Sequence, residues 1–228
     1  MRLAALILVS ALLSSPAAQA ALLSPSEVDA SHLLPPPPAA GSVEEKAEFD
    51  ELRTIAARTP PELRAIATHD AKDETPDIFN AAIGFDIASK PQTFKLLQMV
   101  ADEEDSDTKA AKAYFHRLRP YAVDAGLKVC EPVKPGKAKA ANSYPSGHSS
   151  LAFSMGVVLA SLMPEKSQAI LTRSAEYAEH RLVCGVHFRS DIVAGQQFGT
   201  VLALRLMQNP VFLAQMERAR TELHAVTQ

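Results

Sequence analysis

Residues 145–164 read PSGHSSLAFSMGVVLASLMP, and this stretch predicts a buried helix directly behind a tight polar turn. The tetrapeptide Pro145-Ser146-Gly147-His148 is typical of a turn that leads into a helix cap. The residues from Ser149 to Met163 are mostly apolar, and Pro164 stops the helix. A run of about 15 residues is shorter than the ~20 that span a bilayer, so we predict a core helix.

Helix signals dominate the rest of the chain. A capping box that would begin a helix is formed by Ser42-Val43-Glu44-Glu45. Further helix starts are predicted at Thr59-Pro60-Pro61-Glu62 and Thr75-Pro76-Asp77, where proline stands at the first helical position, and a last helix begins at Asn209-Pro210. A second mostly apolar helix is predicted from Asp191 to Met207. Since no sustained alternating stretch supports a sheet, the sequence predicts an all-α fold, a single compact helical-bundle domain. The apolar positions expected to face inward are Phe49, Leu52, Ile55, Ala56, Leu63, Ile66, Ala67, Ile78, Phe79, Ala82, Ile83, Phe94, Leu97, Val100, Val211, Phe212, Met216 and Leu223.

The beginning of the chain has the three regions of a secretory signal peptide. Met1-Arg2 supplies a charge, Leu3 to Leu13 an apolar run, and Ala18-Gln19-Ala20 the small residues of a cleavage site. The alternative is a membrane anchor, but the apolar run is shorter than the roughly 20 residues that a spanning helix needs. We therefore expect residues 1–20 to be a signal peptide, 21–41 a Pro-rich arm and 42–228 the helical domain of a periplasmic protein without membrane contact after cleavage.

Length, composition and charge limit the partners. The 228 residues with 47% hydrophobic content can bury one substantial core. The formal net charge of −3 at pH 7 argues against nucleic acid as a partner bound through its backbone. A homo-oligomer remains compatible with the sequence.

Three short segments carry the residues of a phosphate site. They are Lys112 with Arg119-Pro120 seven residues later, Pro145-Ser146-Gly147-His148, and Arg181 followed by His187 and Asp191. Three cations suit the oxygens of a phosphate group, and the planar fork of arginine suits two of them at once. Histidine is the side chain that can act as nucleophile or proton donor near neutral pH, so His187 and His148 are the predicted pair. On a helix, Asp191 would share a face with His187 and orient its ring.

The order, spacing and identity of these segments resemble the type-2 phosphatidic acid phosphatase superfamily, which includes the haloperoxidases, and within it the class A bacterial non-specific acid phosphatases. The family signature is Lys, six residues, Arg-Pro; then Pro-Ser-Gly-His; then Ser-Arg, five residues, His, three residues, Asp. Every element matches except that His180 stands where the family usually has serine. We expect position 180 to face away from substrate, because Arg181 supplies the required charge. The alternative is that the imidazole of His180 adds attraction for phosphate.

This resemblance implies an all-α phosphatase that acts on organic phosphate monoesters, with some phosphate transfer to alcohols. It implies that His187, held by Asp191, forms a phosphohistidine, and that His148 protonates the leaving alcohol and then activates water. The expected phosphate ligands are Lys112, Arg119, Ser146, Gly147 and Arg181, with free backbone N–H groups at Ser146 and Gly147.

No metal or other cofactor is expected, because three fixed cations provide the charge neutralisation that a metal ion provides elsewhere. The remaining histidines have no ligand spacing; His116 lies four residues after Lys112, and a structural role is expected for it. The sequence leaves two alternative functions. A vanadate-dependent haloperoxidase would use the same cage, and a periplasmic phosphate-binding protein would have no need for two histidines and a carboxylate.

The chain has two cysteines, Cys130 and Cys184. In an oxidising compartment an even pair favours a disulfide over a metal site, and two separately buried thiols are the alternative. The basic segment between Val129 and Tyr144 is predicted to be a loop near the site, with a solvated face preferred over a substrate-steering role.

Overall fold

The protein is described by a computed structural model that covers residues 21–133 and 141–225. The predicted signal peptide and the loop residues Lys134, Lys137 and Lys139 lie outside the described residues. The described part of the chain contains α-helices, short 3-10 turns and no strand, which confirms the all-α prediction. The α-helices are α1 (Ala30–Leu33), α2 (Val43–Arg58), α3 (Pro61–Asp70), α4 (Asn80–Ile83), α5 (Pro91–Phe115), α6 (Pro120–Val123), α7 (Gly147–Leu162), α8 (Ser167–Val183), α9 (Arg189–Leu206) and α10 (Pro210–His224).

Helix α7 lies at the centre of the bundle, as its apolar sequence predicted. It packs against α5, α8 and α9, while α10 covers α5, and α2 and α3 cover α8. Ala152, Met155, Val158 and Leu159 of α7 have no exposed surface. The principal hydrophobic core therefore surrounds α7, and the segment that precedes this helix begins at one end of the core.

A close crossing of α7 and α9 is made possible by two glycines. A Cβ atom added to Gly199 would lie 2.2 Å from the carbonyl oxygen of Ser150, and one added to Gly195 would lie 2.5 Å from that of Ser146. Both distances are below van der Waals contact, so a larger residue would force the helices apart. The crossing places the first turn of α7 on the part of α9 that contains Gly195 and Gly199.

Most predicted helix starts are present. At α2 the Ser42 hydroxyl accepts the Glu45 N–H at 3.1 Å, and the Glu45 carboxylate accepts the Gly41 N–H at 2.6 Å. The helix predicted after Thr75 is instead a 3-10 turn, Pro76–Phe79, followed by the four residues of α4. Gly84 ends it with a left-handed φ of 81°.

Two apolar residues predicted to face inward are exposed. Ile66 of α3 is 53% exposed, and Val211 in the first turn of α10 is 62% exposed. Helix α3 packs on α8 along the side that carries Ala67, which is fully buried. Since each surface helix buries only the narrow face that meets its neighbour, periodicity overestimated the width of the buried face.

The N-terminal arm is docked on the bundle. The N–H groups of Leu22 and Leu23 donate to the Glu103 carboxylate of α5 at 2.9 and 2.8 Å. Further along, the Tyr144 hydroxyl donates to the carbonyl oxygen of Pro35 at 2.6 Å. The arm therefore lies against α5 and against the segment that leads into α7.

Cys130 and Cys184 form a disulfide with an S–S distance of 2.04 Å. The bridge joins the segment after α6 to the end of α8, as the sequence predicted. In the same place the Cys130 N–H donates to the Cys184 carbonyl oxygen at 3.3 Å. Within residues 21–133 and 141–225, no helix is long and apolar enough to cross a membrane.

Candidate active site

A cavity of about 850 Å³ opens where the end of α5, the start of α7, the end of α8 and the segment before α9 meet. Six of the eight residues predicted from the sequence line it: Lys112, Arg119, Gly147, His148, Arg181 and His187. The other two, Ser146 and Asp191, have no exposed surface and lie behind this lining. Segments that are up to 79 residues apart in sequence thus contribute to one site.

The three predicted cations line this cavity together and are largely buried. Arg181 is only 6% exposed, and its Nε and Nη1 atoms have no hydrogen-bond partner within the described residues. Burial and the nearby Arg119 lower the pKa of Arg181 to about 10, and the same two causes lower the pKa of Lys112. Buried donors without an acceptor are costly, so this cluster is suited to an anion that supplies both the acceptors and the opposite charge.

Arg119 is held in position from two sides. Its Nε donates to the side-chain oxygen of Asn142 at 2.9 Å, and its Nη1 donates to the carbonyl oxygen of Val186 at 3.4 Å. Asn142 also lines the cavity and was not singled out from the sequence. An amide that fixes a guanidinium reduces the entropy lost when the guanidinium binds a ligand.

Gly147 is the first residue of α7, and the backbone there closely approaches Lys112. A Cβ atom added to Gly147 would lie 3.0 Å from Lys112 Nζ, so glycine keeps this part of the cavity open. The helix begins here, so its N-terminal end lies beside Lys112 at the cavity.

The backbone N–H of Ser146 was predicted to be free, but it is already hydrogen-bonded. Its N–H donates to the Asp191 carbonyl oxygen at 3.0 Å and is therefore not free. Its hydroxyl caps α7 by accepting the Ser149 N–H, at 3.4 Å, and the Ser149 hydroxyl at 3.0 Å. The predicted role of Ser146 as a phosphate ligand then depends on its hydroxyl alone.

His187 and Asp191 are paired across the start of a helix rather than along one face of it. His187 precedes α9, and Asp191 lies in its first turn. The Asp191 carboxylate accepts the Phe188 N–H at 2.8 Å and contacts His187 Nδ1 at 3.2 Å. Since Nδ1 is engaged by the carboxylate, Nε2 is the nitrogen available to the cavity. Burial together with Arg119, Arg181 and Lys112 lowers the pKa of His187, which favours the neutral, nucleophilic ring.

Asp191 is surrounded by donors that sequence reasoning missed. Arg117 Nη1 donates to Asp191 Oδ1 at 2.7 Å, and the Ser143 hydroxyl donates to Oδ2 at 2.5 Å. Nη2 of Arg117 donates to Glu48 Oε2 at 2.6 Å. Burial raises the pKa of Asp191, and Arg117 and Ser143 act against that shift. In the sequence, Arg117 is distinguished only by its position two residues before Arg119.

The ring of His148 contacts a backbone carbonyl oxygen, a carboxylate and an aromatic ring. Its Nε2 lies 3.3 Å from the Ala71 carbonyl oxygen, which can only accept, so this nitrogen carries a hydrogen. Its Nδ1 lies 3.0 Å from Glu74 Oε1. The ring stacks on Tyr177 at 5.5 Å between centroids, with an interplanar angle of 14°. Burial and the charges of Arg181 and His187 lower the pKa of His148.

His180 points away from the cavity, in agreement with the expectation for that position. Its Nδ1 lies 2.7 Å from Asp70 Oδ2, and Asp70 also accepts two hydrogen bonds from Arg173 at 2.8 Å each. Burial acts to raise the pKa of Asp70, but the hydrogen bonds from His180 and Arg173 hold it below its usual range. His180 therefore belongs to a buried polar cluster beneath the site.

His116 does not line the cavity either. It ends α5 with a left-handed φ of 51° and is exposed. Among the described residues, no three His, Cys, Asp or Glu side chains form a group that could hold a metal ion.

Two solved structures share the fold of this chain. A transmembrane PAP2 type phosphatidylglycerolphosphate phosphatase from Bacillus subtilis aligns with a TM-score of 0.54 and 17% identity, over 77% of this chain and 87% of that one. LpxE from Aquifex aeolicus also aligns with a TM-score of 0.54, at 20% identity over 73% and 94% of the two chains. At these identities the likeness concerns the fold alone.

Sequence comparison identifies nearer relatives. A non-specific acid phosphatase of Providencia stuartii is 32% identical over 201 residues, which cover 86% of this chain and 81% of the relative. One of Salmonella typhi is 30% identical over 211 residues, covering 88% and 83%. An acid phosphatase of Zymomonas mobilis is 32% identical over 199 residues, covering 83% and 74%. The family model of the PAP2 superfamily matches residues 96–213, which include all eight predicted site residues. The chain therefore belongs to the PAP2 superfamily, as its three motifs predicted.

Proposed function

We propose that the protein is a periplasmic acid phosphatase that hydrolyses organic phosphate monoesters through a phosphohistidine, without a metal ion. The observation that supports this most is that Lys112, Arg119 and Arg181 line one cavity together with His187, and that Arg181 has buried donors without partners among the described residues. The relatives named above are acid phosphatases, and the family membership supports the same reaction.

In the first step a phosphate group binds among the three cations, with the start of α7 directed at its oxygens. Nε2 of His187 then attacks phosphorus in line with the leaving oxygen, so that a P–N bond forms as the P–O bond breaks. The cations stabilise the charge that spreads over the three phosphoryl oxygens in the transition state. Asp191 holds the hydrogen on Nδ1 and stabilises the ring as it becomes positively charged.

His148 supplies the proton that the leaving alcohol needs. In the empty site burial and the cations keep the pKa of His148 low, and a bound phosphate dianion raises it by offsetting those charges. Substrate binding would therefore charge the acid at the moment it is needed. In the second step neutral His148 takes a proton from water, hydroxide attacks phosphorus, and the P–N bond breaks to release phosphate. An alcohol in place of water would give phosphate transfer.

Activity in the presence of a chelator tests the proposal. The purified protein should hydrolyse an aryl phosphate in excess chelator, faster below neutral pH than above it. Because kcat/KM reports the free enzyme and kcat the complex, the alkaline limb of kcat should lie at higher pH than that of kcat/KM. Loss of activity on chelation, restored only by a divalent ion, would contradict the metal-independent mechanism.

Replacing His187 and replacing His148 should block different steps of the reaction. His187→Ala should form no phosphoenzyme, whereas His148→Ala should still be phosphorylated by substrates with good leaving groups, which need little protonation. Quenching without acid and measuring bound phosphate distinguishes the variants. Equal labelling of both would refute the assignment of nucleophile and acid.

A further inference from the structure

Glu74 lies on the side of the cavity where the alcohol part of a substrate must leave. We propose that its carboxylate makes the site select phosphate monoesters whose alcohol part is neutral or positively charged, over those that carry a carboxylate or a second phosphate there. This inference rests on the proposed phosphatase function and specifies its substrate class.

The position of Glu74 follows from its contact with His148. Glu74 Oε1 lies 3.0 Å from Nδ1 of His148, and Nε2 of that ring faces the Ala71 carbonyl. The Ala71 carbonyl is backbone and stays in place, whereas the exposed side chain of Glu74 can move aside, so the proton given to the leaving oxygen comes from Nδ1. The leaving oxygen must therefore come close to this nitrogen. The first atoms of the alcohol part then lie within a few ångströms of the Glu74 carboxylate, whose side chain is 63% exposed at the mouth of the cavity.

The charges of the cavity are separated between its two ends. The phosphate end carries Lys112, Arg119 and Arg181, and the wall that α5 contributes to the mouth carries Asp102 and Asp105. Asp105 is paired with Lys109 at 2.6 Å, which offsets its charge. Among the described residues that line the mouth, Glu74 and Asp102 therefore leave a net negative charge as long as His148 is neutral.

Glu104 also lines the cavity but contributes little negative charge in acid. It is buried, and it accepts a hydrogen bond from Thr108 at 2.5 Å. Burial raises the pKa of Glu104 to about 7, so this group is largely protonated in the pH range where the phosphatase is expected to work.

These charges predict a preference among phosphate monoesters, set by the charge of the alcohol part, that the cations alone would not produce. The cations attract every phosphate monoester through the phosphate group. A carboxylate on the alcohol part would come to lie beside Glu74 and be repelled, and an ammonium group would be attracted. A site with cations only would favour the substrate that has more negative charges.

The experiment uses three alkyl phosphates of similar size: glycerol phosphate, phosphoethanolamine and phosphoglycerate. We would measure kcat/KM for each at low ionic strength, because salt screens charges at an exposed mouth. The variant is Glu74→Gln, and the matched control is Glu62→Gln, an exposed glutamate of α3 that does not line the cavity. Wild type should prefer glycerol phosphate and phosphoethanolamine to phosphoglycerate, and Glu74→Gln should reduce this preference by about three- to tenfold. Glu62→Gln should leave it unchanged.

Three outcomes would overturn the inference, and they can be told apart. If Glu74→Gln slows all three substrates by the same factor, Glu74 acts only through His148. If wild type accepts phosphoglycerate as well as the others, the mouth does not select by charge, although the phosphatase activity stands. If wild type hydrolyses none of the three and no aryl phosphate, the proposed function itself is wrong.

Discussion

Replacing Arg117 by methionine should destabilise the protein strongly and disable its nucleophile. Arg117 is 7% exposed and lies between two buried carboxylates, Asp191 and Glu48. Its guanidinium also lies 4.0 Å above the Phe188 ring, and methionine would keep part of that apolar contact. The substitution therefore removes the positive charge and leaves the two carboxylates without their common partner.

The expected loss is large for a single residue. Removing one partner of a buried ion pair costs about 3–5 kcal/mol, because the other charge stays buried and uncompensated. A typical domain has a free energy of unfolding of about 5–15 kcal/mol, so the variant should still fold at moderate temperature. Loss of Arg117 also lets burial raise the pKa of Asp191 further, which weakens its hold on His187. We expect kcat to fall at least tenfold, or ~1.4 kcal/mol in activation free energy.

The pH dependence follows from the direction of that pKa shift. When the pKa of an aspartate is higher in the folded state than its unfolded value of about 3.9, the protonated form favours the folded state. The free energy of unfolding is then unaffected below about pH 3.9, and it falls as pH rises through the folded-state pKa. The deficit of Arg117→Met relative to wild type should therefore be larger at about pH 7.5 than at about pH 4.

Urea unfolding followed by far-UV circular dichroism is the suitable assay, since the chain is helical and contains no tryptophan. The disulfide should be kept intact. Glu48→Gln serves as the matched control, because it removes one carboxylate while Arg117 continues to bond Asp191; it should cost about 1–3 kcal/mol and keep most of kcat. A loss below ~1 kcal/mol for Arg117→Met, or a deficit that grows on acidification, would refute the reasoning.

Two further predictions concern the disulfide and the unusual histidine. Replacing Cys130 and Cys184 by serine should lower the free energy of unfolding by ~4 kcal/mol on the chain-entropy view, and less if the bridge is strained. Intact mass after alkylation checks the bridge itself, since two thiols alkylated without reduction in wild type would contradict it. His180→Ser should change kcat/KM by less than about tenfold, because His180 bonds Asp70 away from the cavity, and should lower the melting temperature. A larger loss of kcat/KM would mean that His180 takes part in the site.

Six of the eight predicted site residues line one cavity, and they could be picked out in the sequence because each belongs to a short motif with strict spacing. The residues that contact Asp191 and His148 could not be found in this way. Arg117, Ser143 and Glu48 meet around Asp191 from three different segments, and none has a spacing that distinguishes it from a solvated residue. Glu74 and Tyr177 contact His148 in the same way, through the approach of segments distant in sequence.

Local chemistry in the sequence by itself determined the helical class, the central apolar helix and the identity of the cations and histidines that line the cavity. Helix starts, apolar runs and motif spacing depend on near neighbours, so they can be read along the chain. The tertiary structure alone decided which face of each helix is buried, as the exposed Ile66 shows, and that His187 is held from the start of α9. It also decided how closely α7 and α9 approach at Gly199. These features depend on packing between residues far apart in the chain, which no local pattern encodes.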